Sequence, residues 1–454
     1  MRPLLADTPS HEQPRIRIVA SRDPGGPRTG RKAVIATIIA SLEALGYPLE
    51  VAVVARREPE GLPRDPGVGI HRIPLAGPLQ IARNLLPFAR GRLSLNEALF
   101  FSSRGAERTR AIAQSTGCEI VVADMIRTVP LARATGLPMI VDLDDLLSER
   151  YRLLARQGGD SATILGYYAH QLPAFVSKPA GWVAGRLLRI EARTVARREV
   201  EVAHEAEAVS LVAAAEASRL EERAGVPVAC LPMAVGIPPT PADVRSSDPS
   251  SIIFVGGLDY FPNEVAVRWF ASEVASRMAD PPAFRLSVVG ACPDAARNEL
   301  ESPAIRFLGY LDDVSTELPR HRAFVAPMVE GTGVKTKVLE AMAAGVPVVT
   351  TSAGVRGLAL ESGVHCLVAD TGEEFLACLR RLADDAELAA AIGSRGRAYV
   401  ARFFSSEVIV NRWAHLLTTV RNEADAALPG PTGAPGGPGI PVGRAASSAF
   451  ETGS

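Results

Sequence analysis

The sequence has no cysteines at metal-binding or redox spacing, no long apolar run and no excess of either charge. Its five cysteines, Cys118, Cys230, Cys292, Cys366 and Cys378, are scattered and odd in number, and none forms a CxxC pair. That excludes a disulfide framework or a zinc site and reads as reduced core residues of a cytosolic protein. No stretch approaches the ~18 consecutive apolar residues of a membrane-spanning helix. The opening MRPLLADTPSHEQPR holds two acids and no apolar core, so no ordinary signal peptide is expected. With 49 basic and 50 acidic residues the net charge is −1, which argues against a general nucleic-acid binder.

What is present is a long chain with a regular alternation of apolar runs and turns. At 454 residues and 47% apolar content it is too long for one core, and two or three domains are expected. Residues 1–14 are polar and Pro-containing and read as a disordered lead-in. Order is expected from Ile16, with a strand IRIVAS, a glycine-rich loop DPGGPRTG, a helical run ending at Gly46, and a second buried strand LEVAVVA. EIVVAD and PMIVDLDD add further strands to a first domain over 15–235. The Pro/Ser/Asp-rich stretch Val228 to Ser251 marks a linker, centred on 236–250. A fresh α/β series then fills 251–404: SIIFVGG, a helix from Asn263 to Met278, FRLSVVG, IRFLGYL, AFVAP and HCLVAD. A final amphipathic helix is expected over 405–426, and the Pro/Gly-dense 427–454 reads as a disordered tail.

The most informative stretch is PMVEGTGVKTKVLEAMAAGVPVVTT, Pro327 to Thr351, whose order is loop, helix, strand. In a parallel α/β sheet, ligands sit at loops beyond the strand ends. Lys335 and Lys337 fall in the first turn of the helix, where unpaired N–H groups and the macrodipole already place positive charge. A bound anion resolves the conflict, and phosphate fits, because glycines let the backbone approach it. The competing reading is an exposed ion pair of Lys337 and Glu340 on an ordinary helix.

In the first domain, Gly25 and Gly30 have the spacing of a phosphate-binding P-loop, but Arg31 and Lys32 stand where a lysine and a hydroxyl residue belong. A P-loop nucleotide hydrolase is therefore rejected, and the loop reads as a turn that lets helix pack on strand. Asp124, Asp142, Asp144 and Asp145 end strands and would gather at one sheet edge, Asp142 and Asp144 being the first candidates for chemistry. Residues 162–198 combine Tyr167, Tyr168, Phe175 and Trp182 with Arg186, Arg189, Arg193, Arg197 and Arg198, the run from Arg186 to Arg198 carrying +4. Such a segment suits an anionic membrane surface; a solvated interdomain helix is the alternative.

FVGGLDYFPNEVAVRWF, LSVVG, IRFLGYLDDV, the Pro327–Thr351 stretch and GVHCLVAD resemble, in order and spacing, the donor-binding domain of retaining glycosyltransferases of the GT-B fold, family 4 or group 1 type. The branch is that of bacterial exopolysaccharide and cell-envelope glycan assembly. The likeness is close over about 252–420 and loose before that, through the first glycine-rich loop and VDLDDLLSERY. It implies an α/β fold with two Rossmann-like parallel-sheet domains facing across a cleft, and a last helix crossing back to the first domain. It further implies a nucleoside-diphosphate sugar held by the second domain, with Glu340 on the ribose hydroxyls. The diphosphate would lie on the backbone N–H groups and lysines of Gly333, Val334, Lys335, Thr336 and Lys337, in place of a metal, with Thr332 also lining the donor. Gly256 and Gly257 would line the donor, Gly309, Tyr310 and Leu311 the base, and Gly26 the acceptor-side loop.

Four departures from the family pattern stand out. Thr332 occupies the place of a second glutamate, with Glu330 two residues earlier; Gly257 and Asn263 stand where an arginine and a lysine neutralise phosphate; Asp144 falls near the place of a histidine; and Arg28, Arg31 and Lys32 crowd the acceptor-side loop. Phosphate charge is therefore expected to be met by Lys335 and Lys337, with help from Arg28 or Arg31. The expected activity is metal-independent, retaining transfer of a hexosyl-type sugar to a hydroxyl of a glycan or lipid-linked acceptor, with Lys335, Lys337, Glu340 and Asp144 as the catalytic set. The expected protein is cytoplasmic, peripheral on the inner face of the membrane, with no resident cofactor. The alternatives are a nucleotide-sugar epimerase on the same fold and a non-catalytic partner subunit that keeps it.

Overall fold

The computed structural model describes residues 13–25, 30–55, 68–156, 181–239, 248–329 and 333–427. They form two parallel sheets, each with helices on both faces. The first has the order β3-β2-β1-β4-β5-β6-β7, built from Arg15–Ala20, Leu49–Ala55, Val68–Pro74, Cys118–Asp124, Met139–Asp142, Ala208–Leu211 and Ala229–Cys230 as β1 to β7. The second has the order β10-β9-β8-β11-β12-β13, from Ser251–Val255, Arg285–Val289, Ile305–Gly309, Ala323–Ala326, Val348–Thr350 and Leu367–Val368 as β8 to β13. Counted from its first strand, each sheet runs 3-2-1-4-5-6, the doubly wound Rossmann order, and the first sheet adds a seventh strand at its end. This is the α/β architecture expected from sequence.

Both faces of these sheets are covered, so the strands are continuous apolar runs instead of alternating ones. Ile16, Ile18, Val51 and Val53 on one face and Val19, Ala52, Val121 and Val141 on the other are buried to within a few per cent. The helix Arg31–Ala44 turns Val34, Ile35, Ile38, Ile39 and Leu42 inward, a helical stripe against β1 and β2. The second domain has its own core around Phe254, Phe270, Phe324, Leu339 and Phe375.

The last helix, Ser406–Ala427, joins the first domain's core. Ile409, Trp413, Leu417 and Val420 are buried with Ile35, Ile39 and Leu49, roughly 370 residues upstream by sequence count. The first and last described elements thus belong to the same domain. Three details depart from the sequence reading. β3 had no place in it. The stretch Val228 to Ser251 begins with sheet: Ala229–Cys230 pairs with β6, and Leu231 and Met233 enter the core. The helix expected over Asn263 to Met278 starts at Phe261, widens to a π turn over Phe270–Val274 and tightens over Ala275–Arg277. The lead-in up to residue 12 and the tail from 428 lie outside the described residues.

Candidate active site

In the second domain the strand order reverses between β8 and β11, so the loops after these two strands open a crevice at the sheet's carboxyl edge. Gly256 and Gly257 follow β8; Gly333, Val334 and Lys335 lead into the helix Thr336–Ala343 after β11. Lys335 is the N-cap, with no side-chain cap bond and no acid in the first turn. Its Nζ donates to the Gly333 carbonyl at 3.0 Å, and Gly333 is left-handed at φ 69°. Lys337 reaches back across the sheet edge: its ammonium bonds Asn263 Oδ1 and lies 4.6 Å from the centre of the Phe254 ring. Asn263 in turn donates to the Gly257 carbonyl at 2.8 Å.

Glycine is required at 256 for two reasons. Its φ is 156°, and a Cβ there would stand 2.6 Å from Asn263 Nδ2 and 3.0 Å from Lys337 Nζ. The Lys337 ammonium thus lies against the Gly256 turn and Asn263, 74 residues before it in sequence. Among the described residues no carboxylate bonds it. Burial, then Lys335, push Lys337 down to about 7, with Glu340 opposing. Burial, then Arg356 and Arg150, push Lys335 down to about 8. Glu340, whose side chain remains open to solvent on the same helix, is raised by the desolvating walls around it, against Lys337. These shifts describe a site whose walls disfavour charge, with the Lys335 ammonium adding to the burial that lowers Lys337.

Gly309, with φ 78°, ends β10, and Tyr310 beyond it is 64% exposed. Leu311 packs half-buried against the core. All lie on the same carboxyl edge of the sheet, with β9 and β8 between β10 and the strand that leads to the lysines. Thr332 and Gly26, together with Arg28 and Glu330, lie outside the described residues.

In the first domain the strand-end carboxylates meet a partner the sequence reading gave another task. Arg31 is buried at 6% exposure; its Nε donates to Asp124 at 2.5 Å, and its two Nη atoms reach Asp142 at 2.6 Å and Asp144 at 3.1 Å. Asp124 also accepts from the Ser21 N–H, and Asp142 from the Ser210 hydroxyl. Arg31 thus binds the ends of β4 and β5 to the start of the first helix and is not available for a phosphate across the cleft. Asp142 is raised by burial, with Arg31 opposing and Asp144 adding to the rise. Asp144 has a left-handed φ of 69° and keeps 18% of its side chain exposed. Strain of this kind concentrates at functional positions. Gly30 has its own correction: a Cβ there would meet nothing within 4 Å, so it serves the φ of 46° before the helix and not close packing.

The two domains face each other here. Lys335 feels Arg150, Asp145 and Glu216 of the first domain electrostatically, and Asp145 is ion-paired with Arg150. Beside it lies a cleft of about 320 Å³, lined by Arg152, Arg156, Glu216 and Arg219 from the first domain and by Gly333 and Arg356 from the second. None of these arginines was singled out from sequence. The only trace there is the helical spacing of Glu149, Arg152 and Arg156 on one face.

Two Rossmann-like sheets, a crevice at their carboxyl edges and a helix returning to the first domain define the GT-B class of proteins. Residues 249–385 match the family model Glycosyl transferases group 1, which covers most of the second domain. The chain resembles sucrose-phosphate synthase from Thermosynechococcus elongatus, with TM-score 0.66 and 16% identity over 92% of this chain and 100% of that one. It also resembles HepE from Anabaena, solved with UDP-glucose (TM-score 0.59, 15% identity, 90% and 100% covered). A third match is TarM of S. aureus, solved as a G117R mutant with fondaparinux, α-GlcNAc-glycerol and UDP (TM-score 0.60, 10% identity, 89% and 99% covered). At such identities the likeness establishes the fold. No curated protein matches by sequence.

Proposed function

We propose that the chain transfers a hexosyl-type sugar from a nucleoside-diphosphate sugar to a hydroxyl of a glycan or lipid-linked acceptor, with retention and without a metal. The observation that carries this is the pair of desolvated lysines at the amino end of Thr336–Ala343, facing a glycine-edged crevice. Main-chain N–H groups from Gly333 on and the two ammonium groups stabilise the departing diphosphate, the task a cation performs elsewhere. The bond from the anomeric carbon to the diphosphate oxygen breaks, the acceptor oxygen bonds to that carbon on the same face, and its proton passes to the leaving phosphate. Glu340 accepts both ribose hydroxyls. Asp144, oriented by Arg31, steadies the acceptor hydroxyl or the positive charge at the anomeric carbon.

Glu340→Ala is expected to weaken nucleoside-diphosphate binding about ten- to hundredfold, the worth of hydrogen bonds to a charged group. Calorimetry with UDP, GDP and ADP checks this, and thermal stabilisation by the same three ranks the base. Binding that is absent from the wild type, or unchanged in the variant, sinks the assignment.

Affinity should also depend on pH in a defined direction. Lys337 titrates at about 7 and Lys335 at about 8 in the free protein. A bound diphosphate favours the protonated forms and raises both, so binding takes up protons and weakens as pH rises from 7 to 9. Calorimetry in buffers of different ionisation enthalpy reads the uptake directly; a flat profile with no proton uptake contradicts the role of the lysines.

The acceptor side, in this proposal, meets an anionic membrane surface. The support lies partly outside the segment singled out from sequence. Leu79, Leu85 and Leu86 are 69%, 48% and 55% exposed on the helix Pro78–Ala89, with Arg83, Arg90 and Arg92 also exposed and no acid between residues 77 and 95. Ile190, 50% exposed, lies among exposed Arg186, Arg189 and Arg193. Arg198 is corrected from this set, since it is buried against Glu97. Tyr167, Tyr168 and Phe175 lie outside the described residues, as does the Trp182 side chain. Among the described residues, no helix is long and apolar enough to cross a membrane.

A further inference from the structure

The cleft between the domains carries basic side chains beyond the two lysines assigned to the donor. The donor's diphosphate is met by Lys335, Lys337 and main-chain groups. Arg152 and Arg156 on the helix Leu147–Arg156 and Arg356 after β12 line the adjacent 320 Å³ cleft as well. Among the described residues none of these three has an ion pair or hydrogen bond. Neighbouring charges do not cancel them. Arg219 and Glu149 are closed on each other by two bonds of 2.8 and 2.9 Å, and form a neutral pair. Glu216 accepts from the Leu146 N–H, and burial, then Asp145, push it up to about 7, so it carries only part of a charge at neutral pH. Asp145 is occupied by Arg150.

We infer that Arg152, Arg156 and Arg356 form a second anion site, which holds a phosphate ester on the acceptor beside the donor. Two of the arginines belong to the first domain and one to the second, so an acceptor held by all three spans the cleft. Glu149, Arg152, Leu153 and Arg156 share one helix face, which places both first-domain guanidinium groups on one side of the ligand. Planar guanidinium groups with free donors suit phosphate oxygens, which they grip in pairs. The phosphate ester belongs either to a soluble sugar phosphate or to the diphosphate of a lipid-linked glycan. This deepens the glycosyltransferase reading and rests on it for the word acceptor, while the anion site itself can be measured without it.

The test uses the full chain saturated with whichever nucleoside diphosphate stabilises it most. Glycerol 3-phosphate, which joins a hydroxyl to a phosphate, is titrated in by calorimetry, with glycerol as the neutral control. Glycerol 3-phosphate should bind and glycerol should not. Arg152→Gln/Arg156→Gln should weaken that binding by about tenfold or more, while nucleotide affinity and melting temperature stay at wild-type values. Failure of glycerol 3-phosphate to bind, its displacement by the nucleotide, or equal binding to the variant each overturns the second site. If no nucleoside diphosphate binds, the donor reading fails on its own, and the phosphate titration is run on the ligand-free chain with the same variant. Transfer assays with glucose 6-phosphate and with a detergent-solubilised polyprenyl diphosphate sugar then separate the two sources of the phosphate. Loss of transfer to one acceptor in the double variant identifies it.

Discussion

Arg31→Met should cost about 3–5 kcal/mol of folding stability at neutral pH, the typical loss when one partner of a buried ion set is removed. The methionine fills most of the volume, but Asp124, Asp142 and Asp144 then face one another at the ends of β4 and β5 without a cation. Asp124 keeps the Ser21 N–H and Asp142 the Ser210 hydroxyl, which satisfy lone pairs and not charge. The variant should also gain a pH dependence of stability. Without Arg31 the Asp142 carboxyl, already raised, rises further above its unfolded value. A carboxyl raised in the folded state binds its proton more readily there, so its contribution is favourable at low pH and is lost as pH rises through the folded value. Urea unfolding at pH 5 and 7.5 should therefore show a smaller deficit at pH 5. Adding Asp124→Asn should recover part of the loss non-additively, because the two groups share one network. A loss below about 1 kcal/mol would mean that water, not Arg31, balances the cluster.

Lys337→Met should lower kcat about 10²- to 10³-fold, the usual consequence of deleting one donor to a charge that develops in the transition state. The melting temperature should stay level or rise. The methionine keeps an apolar side chain beside the Phe254 ring and removes an ammonium group that burial already disfavours. That combination separates a functional role from a structural one, since a merely structural lysine would lose stability and activity together. Lys337→Arg is not expected to rescue. The ammonium sits at the Gly256 wall, where even one added carbon would lie 3.0 Å away, and a planar guanidinium needs more room. Single-turnover measurements at saturating donor isolate the chemical step from binding. Unchanged turnover with a weaker KM would assign Lys337 to ground-state binding alone.

Much of the proposed donor side was legible because its residues are close in sequence. Gly333, Lys335, Lys337 and Glu340 fall within eight positions, and helix geometry places them from spacing alone. The first domain was less legible. Arg31 and its three carboxylates lie 93 to 113 positions apart, and nothing in their local patterns indicates that they meet. Arg31 next to a glycine-rich loop reads as a phosphate contact until the crossover from β1 to β4 places Asp124 over it. β3 was missed for a related reason. VGIHRIP carries a histidine and an arginine, because it is the edge strand of its sheet and most of it is only half-buried.

The sequence by itself determined the alternation of strands and helices, the two-domain order and the helix that carries Lys337 and Glu340. Each of these is written in burial period or in spacings of a few residues. Only the tertiary structure decided that the Lys337 ammonium meets Asn263, that Arg31 is spent on carboxylates, and that Arg152, Arg156 and Arg356 share one cleft. These depend on which distant loops the parallel sheets bring to a common edge. That choice is made by strand order and domain docking, where charge is summed over neighbours in space and not along the chain.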